Sequence, residues 1–109
     1  MKKFLIVLVL LLCGCSSSDF SQVNKLVNGK EYVILDVRTE SEYDLSHVVG
    51  SLNIPYDEID KDIGLDYNKV ILVYCKSGNR SAIAYNKLKN LGYEVHDLGA
   101  FSSLDLPKE

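Results

Sequence analysis

The chain has 109 residues, 47% of them hydrophobic and 25% charged, with a formal net charge of −3. This length supports one domain, and seven glycines and two prolines without an internal repeat exclude a collagen-like or low-complexity chain. No Lys/Arg cluster lies beyond Lys2-Lys3, so nucleic-acid binding, which needs a basic face to neutralise phosphates, is set aside.

The amino-terminal segment reads as an address. Lys2-Lys3 precede nine consecutive apolar residues, Phe4 to Leu12, and small residues close the run. Basic, apolar, then small is the order of a secretory signal. A spanning helix needs about 20 apolar residues, so the expectation is a tethered chain and not a spanning one. Leu12-Cys13-Gly14-Cys15 resembles the bacterial lipoprotein box, which implies a signal peptide over 1–14, a lipidated Cys15 and a Ser16–Ser18 tether, leaving 19–109 as the folded domain. Two or more acyl chains hold a protein stably on a membrane where one gives only marginal binding. The expected location is therefore the cell envelope, lipid-anchored and facing the periplasm or the cell exterior. Loss of Lys2 and Lys3 leaves 10 basic against 15 acidic residues, a formal charge of −5. Cys13 leaves with the signal and Cys15 carries lipid, so Cys75 is the one free thiol and no internal disulfide is possible. A lone cysteine in a secreted chain is a candidate for reactivity or intermolecular pairing.

Along the expected domain, Phe20, Val23, Leu26 and Val27 recur at helical spacing, and Asn28-Gly29 stops a short helix. Tyr32 to Leu35 is a β-prone run apolar at every position, the habit of a strand buried on both faces of a parallel sheet. Thr39-x-x-Glu42 is a capping box opening a helix through about His47. Ser51 to Ile54 reads as a short strand stopped by Pro55, with a loose segment over 57–68. Val70 to Tyr74 is a second buried strand, Lys76 to Asn79 a polar turn, and Ser81 to Leu91 a helix presenting Ile83, Ala84, Leu88 and Leu91 on one face. Tyr93 to Leu98 is a third main strand. This alternation predicts an α/β domain with an open, mostly parallel sheet flanked by helices.

In such sheets ligands gather at the carboxyl ends of strands, and Cys75 follows the second buried strand directly. Lys76, Ser77, Gly78, Asn79 and Arg80 separate it from the next helix. Backbone N–H groups of a loop like this converge on one point, helped by the positive end of the helix. A thiol there is held as thiolate, and Lys76 and Arg80 add positive charge, so the spacing predicts a nucleophilic cysteine that handles an anion. The competing reading is a small buried cysteine that merely ends a core strand.

Four segments stand in the order found in single-domain rhodaneses. They are Leu35-Asp36-Val37-Arg38 with Glu42-Tyr43, His47 to Pro55, Val73 to Ala82, and Leu91-Gly92-Tyr93 with Asp97-Leu98-Gly99. The chain resembles that sulfurtransferase family over roughly residues 31–101. The resemblance implies a rhodanese-like fold, Cys75 as the catalytic residue that takes sulfane sulfur as a persulfide from a small anionic donor such as thiosulfate, and delivery to a thiol or cyanide acceptor. It implies Lys76 to Arg80 as the loop that holds persulfide and donor. Asp36 and Arg38 are read as its supports, and His47 as a hydrogen-bonding fixture. Phosphate-handling relatives carry five residues between cysteine and arginine; the four here resemble the sulfur-specific branch. Ser46, Ala100 and Leu104 depart from the family's usual Gly, Gly and Trp.

No His/Cys cluster has metal-ligand spacing, the acidic stretch Asp57 to Asp66 lacks a calcium-loop pattern, and no cofactor is expected. Two alternatives stand beside the enzyme. One is a non-catalytic rhodanese-fold module that binds or senses another envelope component; the other is a thiol-redox protein, disfavoured because no resolving cysteine accompanies Cys75.

Overall fold

The computed structural model describes residues 20–109. The expected signal peptide, the lipidated Cys15 and the serine tether lie outside the described residues. Helix α1 is short, Ser21–Leu26, and buries Val23. Val27 just beyond it is buried too, whereas Leu26 is 44% exposed. Asn28 and Gly29 both take positive φ and end the helix where the sequence places the stop.

Strands β1 (Tyr32–Asp36), β2 (Leu52–Asn53), β3 (Val70–Cys75) and β4 (Val95–Ala100) form one sheet in the order β2-β1-β3-β4. Every pairing among them is parallel. Helix α2 (Glu40–Leu45) joins β1 to β2, and α3 (Asn79–Asn90) joins β3 to β4. The expected capping box is present at α2: the Thr39 hydroxyl accepts from the Glu42 N–H, and the Glu42 carboxylate accepts from the Thr39 N–H. The loose segment contains one 3-10 turn, Tyr56–Glu58.

Strand β3 is buried at every position because both faces of the sheet are covered. Its alternation sends Ile71, Val73 and Cys75 to one face, where they pack with Ala84 and Leu88 of α3, Ile59 and Tyr93. Val70, Leu72 and Tyr74 go to the other face, against Val23, Val27, Val48 and Leu106. Ile83 corrects the sequence reading, being 45% exposed. The side of α3 that meets the sheet is Ser81, Ala84 and Leu88, and Ile83 is turned about 100° from Ala84. Small residues at Ser81 and Ala84 let the helix lie close to the end of β3.

Leu98 is an extra residue in β4. Val73 faces Asp97, but Tyr74 already faces Gly99. The Asp97 carboxylate accepts from the Gly99 N–H at 2.9 Å, and Gly99 has φ +86, which a side chain would strain. Past this bulge the chain enters a 3-10 turn, Phe101–Ser103. The closing segment then runs back along 47–49, where His47 and Glu109 exchange both backbone hydrogen bonds at 2.8 Å.

Asp36 and Arg38 are buried together. Arg38 Nε and Nη2 donate to the Asp36 carboxylate at 2.6–3.0 Å, and Nη2 also donates to the Ser46 carbonyl at 2.6 Å. The Tyr74 hydroxyl donates to Asp36 Oδ2 at 2.8 Å and accepts from the buried Val48 N–H at 3.0 Å. Burial first, and then the neighbouring Asp36, keep that hydroxyl protonated, its pKa pushed up to about 12 despite the Ser51 and Val48 contacts. Tyr74→Phe would leave the Val48 N–H without its acceptor. A loss of about 2 kcal/mol follows for a buried donor left unsatisfied, measured as a lower urea midpoint at unchanged slope.

Candidate active site

Cys75 is the last residue of β3, and its side chain is fully buried. The chain turns at once. Gly78 adopts φ +105 to start α3, a conformation that glycine enters without the clash a Cβ brings. No side chain caps this helix, so its first N–H groups stay available, and the Gly78 N–H donates to Cys75 Sγ at 3.0 Å.

Burial pushes the Cys75 thiol up, while the Ser81 hydroxyl and the N–H groups of Ser81, Gly78 and Ser77 pull it down. The hydrogen bonds win, and the thiol lies below its ordinary range. Neutral dipoles lead this lowering. The Ser81 hydroxyl also lies on the Gly78 carbonyl at 3.1 Å. With one proton and two acceptors in reach, it favours the sulfur when that is charged.

Arg80, in the first turn of α3, is turned to Glu42 of α2. Its two terminal nitrogens donate to the two carboxylate oxygens at 2.8 and 3.1 Å. Chiefly through these bonds, against a smaller effect of burial, Glu42 is lowered to about 2. Asp36 and Arg38 send their bonds to Ser46 and Tyr74, and the Asn53 side chain donates to the carbonyls of both. They support the 46–53 segment and reach the Cys75 loop through Tyr74. His47 stacks on Tyr43 with ring centroids 3.8 Å apart. Its Nδ1–H donates to the Tyr43 carbonyl at 2.8 Å, and Nε2 faces Glu109 at 3.3 Å. Lys76, Ser77 and Asn79 are exposed, and Lys76 makes no ion pair among the described residues.

A cleft of about 500 Å³ opens over the loop, lined by Arg38, Glu42, Leu45, Ser46, Lys76, Ser77, Ala100, Phe101 and Ser102. A hollow of about 440 Å³ at the β1–β2 edge, lined by residues such as Phe20, Val33 and Leu52, contains no charged side chain and lies apart from this chemistry. Sequence reading missed Glu42 and Ser81 as parts of the site. Glu42 was legible as a capping residue and as part of a segment that carries the family resemblance, but not as the partner of Arg80. Ser81 stood next to Arg80, but its closeness to sulfur depends on the turn at Gly78.

With a buried sulfur at a strand end, held by the loop that follows, the comparisons with known proteins bear on the family. The rhodanese-like domain model matches residues 19–103. The chain belongs to the rhodanese-like domain family. It is 35% identical over 78 residues to thiosulfate sulfurtransferase PspE of Escherichia coli, covering 68% of this chain and 75% of that protein. It is 31% identical over 93 residues to a thiosulfate:glutathione sulfurtransferase of Saccharomyces cerevisiae, covering 71% of this chain and 67% of that one. A solved rhodanese with anions from E. coli superposes with a TM-score of 0.65 at 32% identity, over 72% of this chain and 96% of that chain. Of a probable molybdopterin-synthase adenylyltransferase of Porphyra purpurea, 37% identical over 71 residues, the match spans 62% of this chain but only 19% of that protein. This rhodanese-like chain is a sulfurtransferase of the rhodanese type.

Two outcomes test the site. Ser81→Ala raises the Cys75 pKa, and the rate of thiol alkylation near neutral pH falls about fivefold for the loss of one hydrogen bond to charge. Glu42 contributes stability that is complete above its unfolded value near 4.3 and is lost as pH falls toward 2. Glu42→Gln therefore flattens the acid limb of a plot of urea midpoint against pH between about 4.3 and 2.

Proposed function

We propose that Cys75 takes sulfane sulfur from a small anionic donor such as thiosulfate and passes it to a thiol or cyanide acceptor. The thiolate attacks the outer sulfur of the donor. A bond forms between Cys75 Sγ and that sulfur, the donor's S–S bond breaks, and sulfite leaves with the electron pair. The persulfide then gives its outer sulfur to the acceptor and Cys75 returns as thiolate. The observation that carries this reading is the buried Cys75 sulfur held by the Gly78 N–H at the open start of α3. Dipoles directed at sulfur stabilise thiolate and persulfide alike without a protein cation bonded to it.

The Glu42–Arg80 pair ties α2 to the start of α3 and so holds one wall of the cleft against the loop. Residues Lys76 to Arg80 act as the donor-binding loop, with Lys76 supplying the charge that faces solvent. In this reading His47, Asp36 and Arg38 are positioning residues.

The amino-terminal sequence supports a further part of the proposal. Cleavage before Cys15 and its lipidation would tether the domain to a membrane of the cell envelope. Metabolic labelling with a palmitate analogue tests this, with Cys15→Ser expected to abolish the label.

Intact mass before and after incubation with thiosulfate tests the chemistry. Gain of one sulfur atom, absent in Cys75→Ser, is the expected result. A folded, reduced protein that gains none would return the chain to the docking-module reading.

A further inference from the structure

The hollow of about 440 Å³ at the β1–β2 edge has no part in the sulfur chemistry. It exists because β2 is two residues long and pairs with Leu35 and Asp36 alone. Tyr32, Val33 and Ile34 of β1 are left without a strand on that side among the described residues. Phe20, Val49, Gly50 and Leu52 complete the walls. Leu52 is 48% exposed and Val49 38%, and Phe20 is partly exposed beside them. No charged side chain lines the hollow, so contact with an apolar phase strips no ion of its water.

This face adjoins the expected anchor. Phe20 is the first described residue and is itself a wall of the hollow. Five peptide steps separate it from Cys15, and an extended chain spans at most about 18 Å over that distance. A lipid on Cys15 therefore keeps this hollow close to the bilayer. A few partly exposed apolar side chains hold a free protein on a membrane only weakly. A short tether makes the contact intramolecular, and a weak contact then suffices. The chain carries net negative charge, so attraction to anionic lipid is not what seats this face. Tyr32 among the apolar walls suits the boundary between acyl chains and headgroups, where its ring and its hydroxyl are both satisfied.

We infer that the hollow at the β1–β2 edge is the face by which the domain rests on the lipid bilayer, with Phe20, Val49 and Leu52 at the boundary of acyl chains and headgroups. The inference rests on the lipidation of Cys15 proposed above and adds the orientation of the domain on the membrane. The cleft over the Cys75 loop shares no lining residue with the hollow. The docked face and the reactive one are thus separate, and substrates reach Cys75 from the aqueous side.

The chain contains no tryptophan, so one introduced indole is a clean reporter. The full chain with Leu52→Trp, processed in cells and reconstituted in phosphatidylcholine vesicles, is compared with Ile83→Trp. Ile83 is exposed to a similar degree, 45%, on α3, which packs on the other face of the sheet. Replacing the lipid by one with brominated acyl chains is expected to lower Leu52→Trp emission about twofold, as for a side chain at the acyl boundary. Ile83→Trp emission should stay unchanged. Val49→Trp, on the same wall, should follow Leu52→Trp and covers the case in which the wider indole disturbs β2; circular dichroism checks the folding of each. Equal quenching at all three positions, or none at 49 and 52, in protein that floats with the vesicles would overturn the proposal. A blue-shifted but unquenched Leu52→Trp would overturn it in favour of a second copy of the chain seated on the hollow. Intact mass of the same sample reports the acyl groups. A chain that lacks them and does not float removes the anchoring reading itself, and the orientation with it.

Discussion

A buried carboxylate at the end of β1 organises the upper edge of the sheet. Asp36 is fully buried, a position that an ionised carboxylate holds only when its lone pairs are answered. Arg38 answers with its guanidinium, Tyr74 with its hydroxyl, and the Arg38 backbone N–H with a further bond at 2.9 Å. Each partner is committed elsewhere as well. Arg38 holds the Ser46 carbonyl and lies over the Phe101 ring at 4.4 Å, while Tyr74 holds Val48. One charge thus fixes β1, β3, the 46–48 segment and the turn after β4 relative to one another.

That constraint passes to Cys75 through the period of a β-strand. Tyr74 points to one face of the sheet and is pinned there, so Cys75 must point to the other, toward the start of α3. The sulfur then meets the first N–H groups of a helix that no side chain caps. A carboxylate network on one face and a dipole cradle on the other are coupled by two adjacent residues. The cations play a different part from the one their proximity in sequence suggests. Arg38 and Arg80 each meet a carboxylate, and the thiol is lowered mainly by hydrogen bonds.

Chain patterns with short reach were legible in advance. The apolar runs at 32–35 and 70–74, the Thr39–Glu42 capping box, the Asn28-Gly29 stop and a cysteine followed by a glycine-containing turn all depend on neighbouring residues. Backbone sterics and local hydrogen bonds dictate them wherever the segment ends up. Ile83 shows where this fails: helical spacing marked it as apolar, but the face that meets the sheet is chosen by how closely α3 packs on β3, and the small Ser81 and Ala84 are what allow that approach. Leu98 falls one residue out of phase with Tyr93 and Val95, and the pairing with β3 shows that slip to be a bulge.

The sequence by itself determined the α/β alternation, the parallel character of the sheet, and the placing of one thiol at a strand end before a polar turn. Only the tertiary structure decided that Glu42 meets Arg80 across 38 positions, that Asp36 consumes the charge of Arg38, that the closing segment lies against His47, and that Leu45, Ala100 and Phe101 wall the cleft. The physical reason is one of range. Propensity and capping act between residues a few positions apart, whereas ion pairs and cleft walls join residues that meet only after the order β2-β1-β3-β4 has brought separate strand ends together.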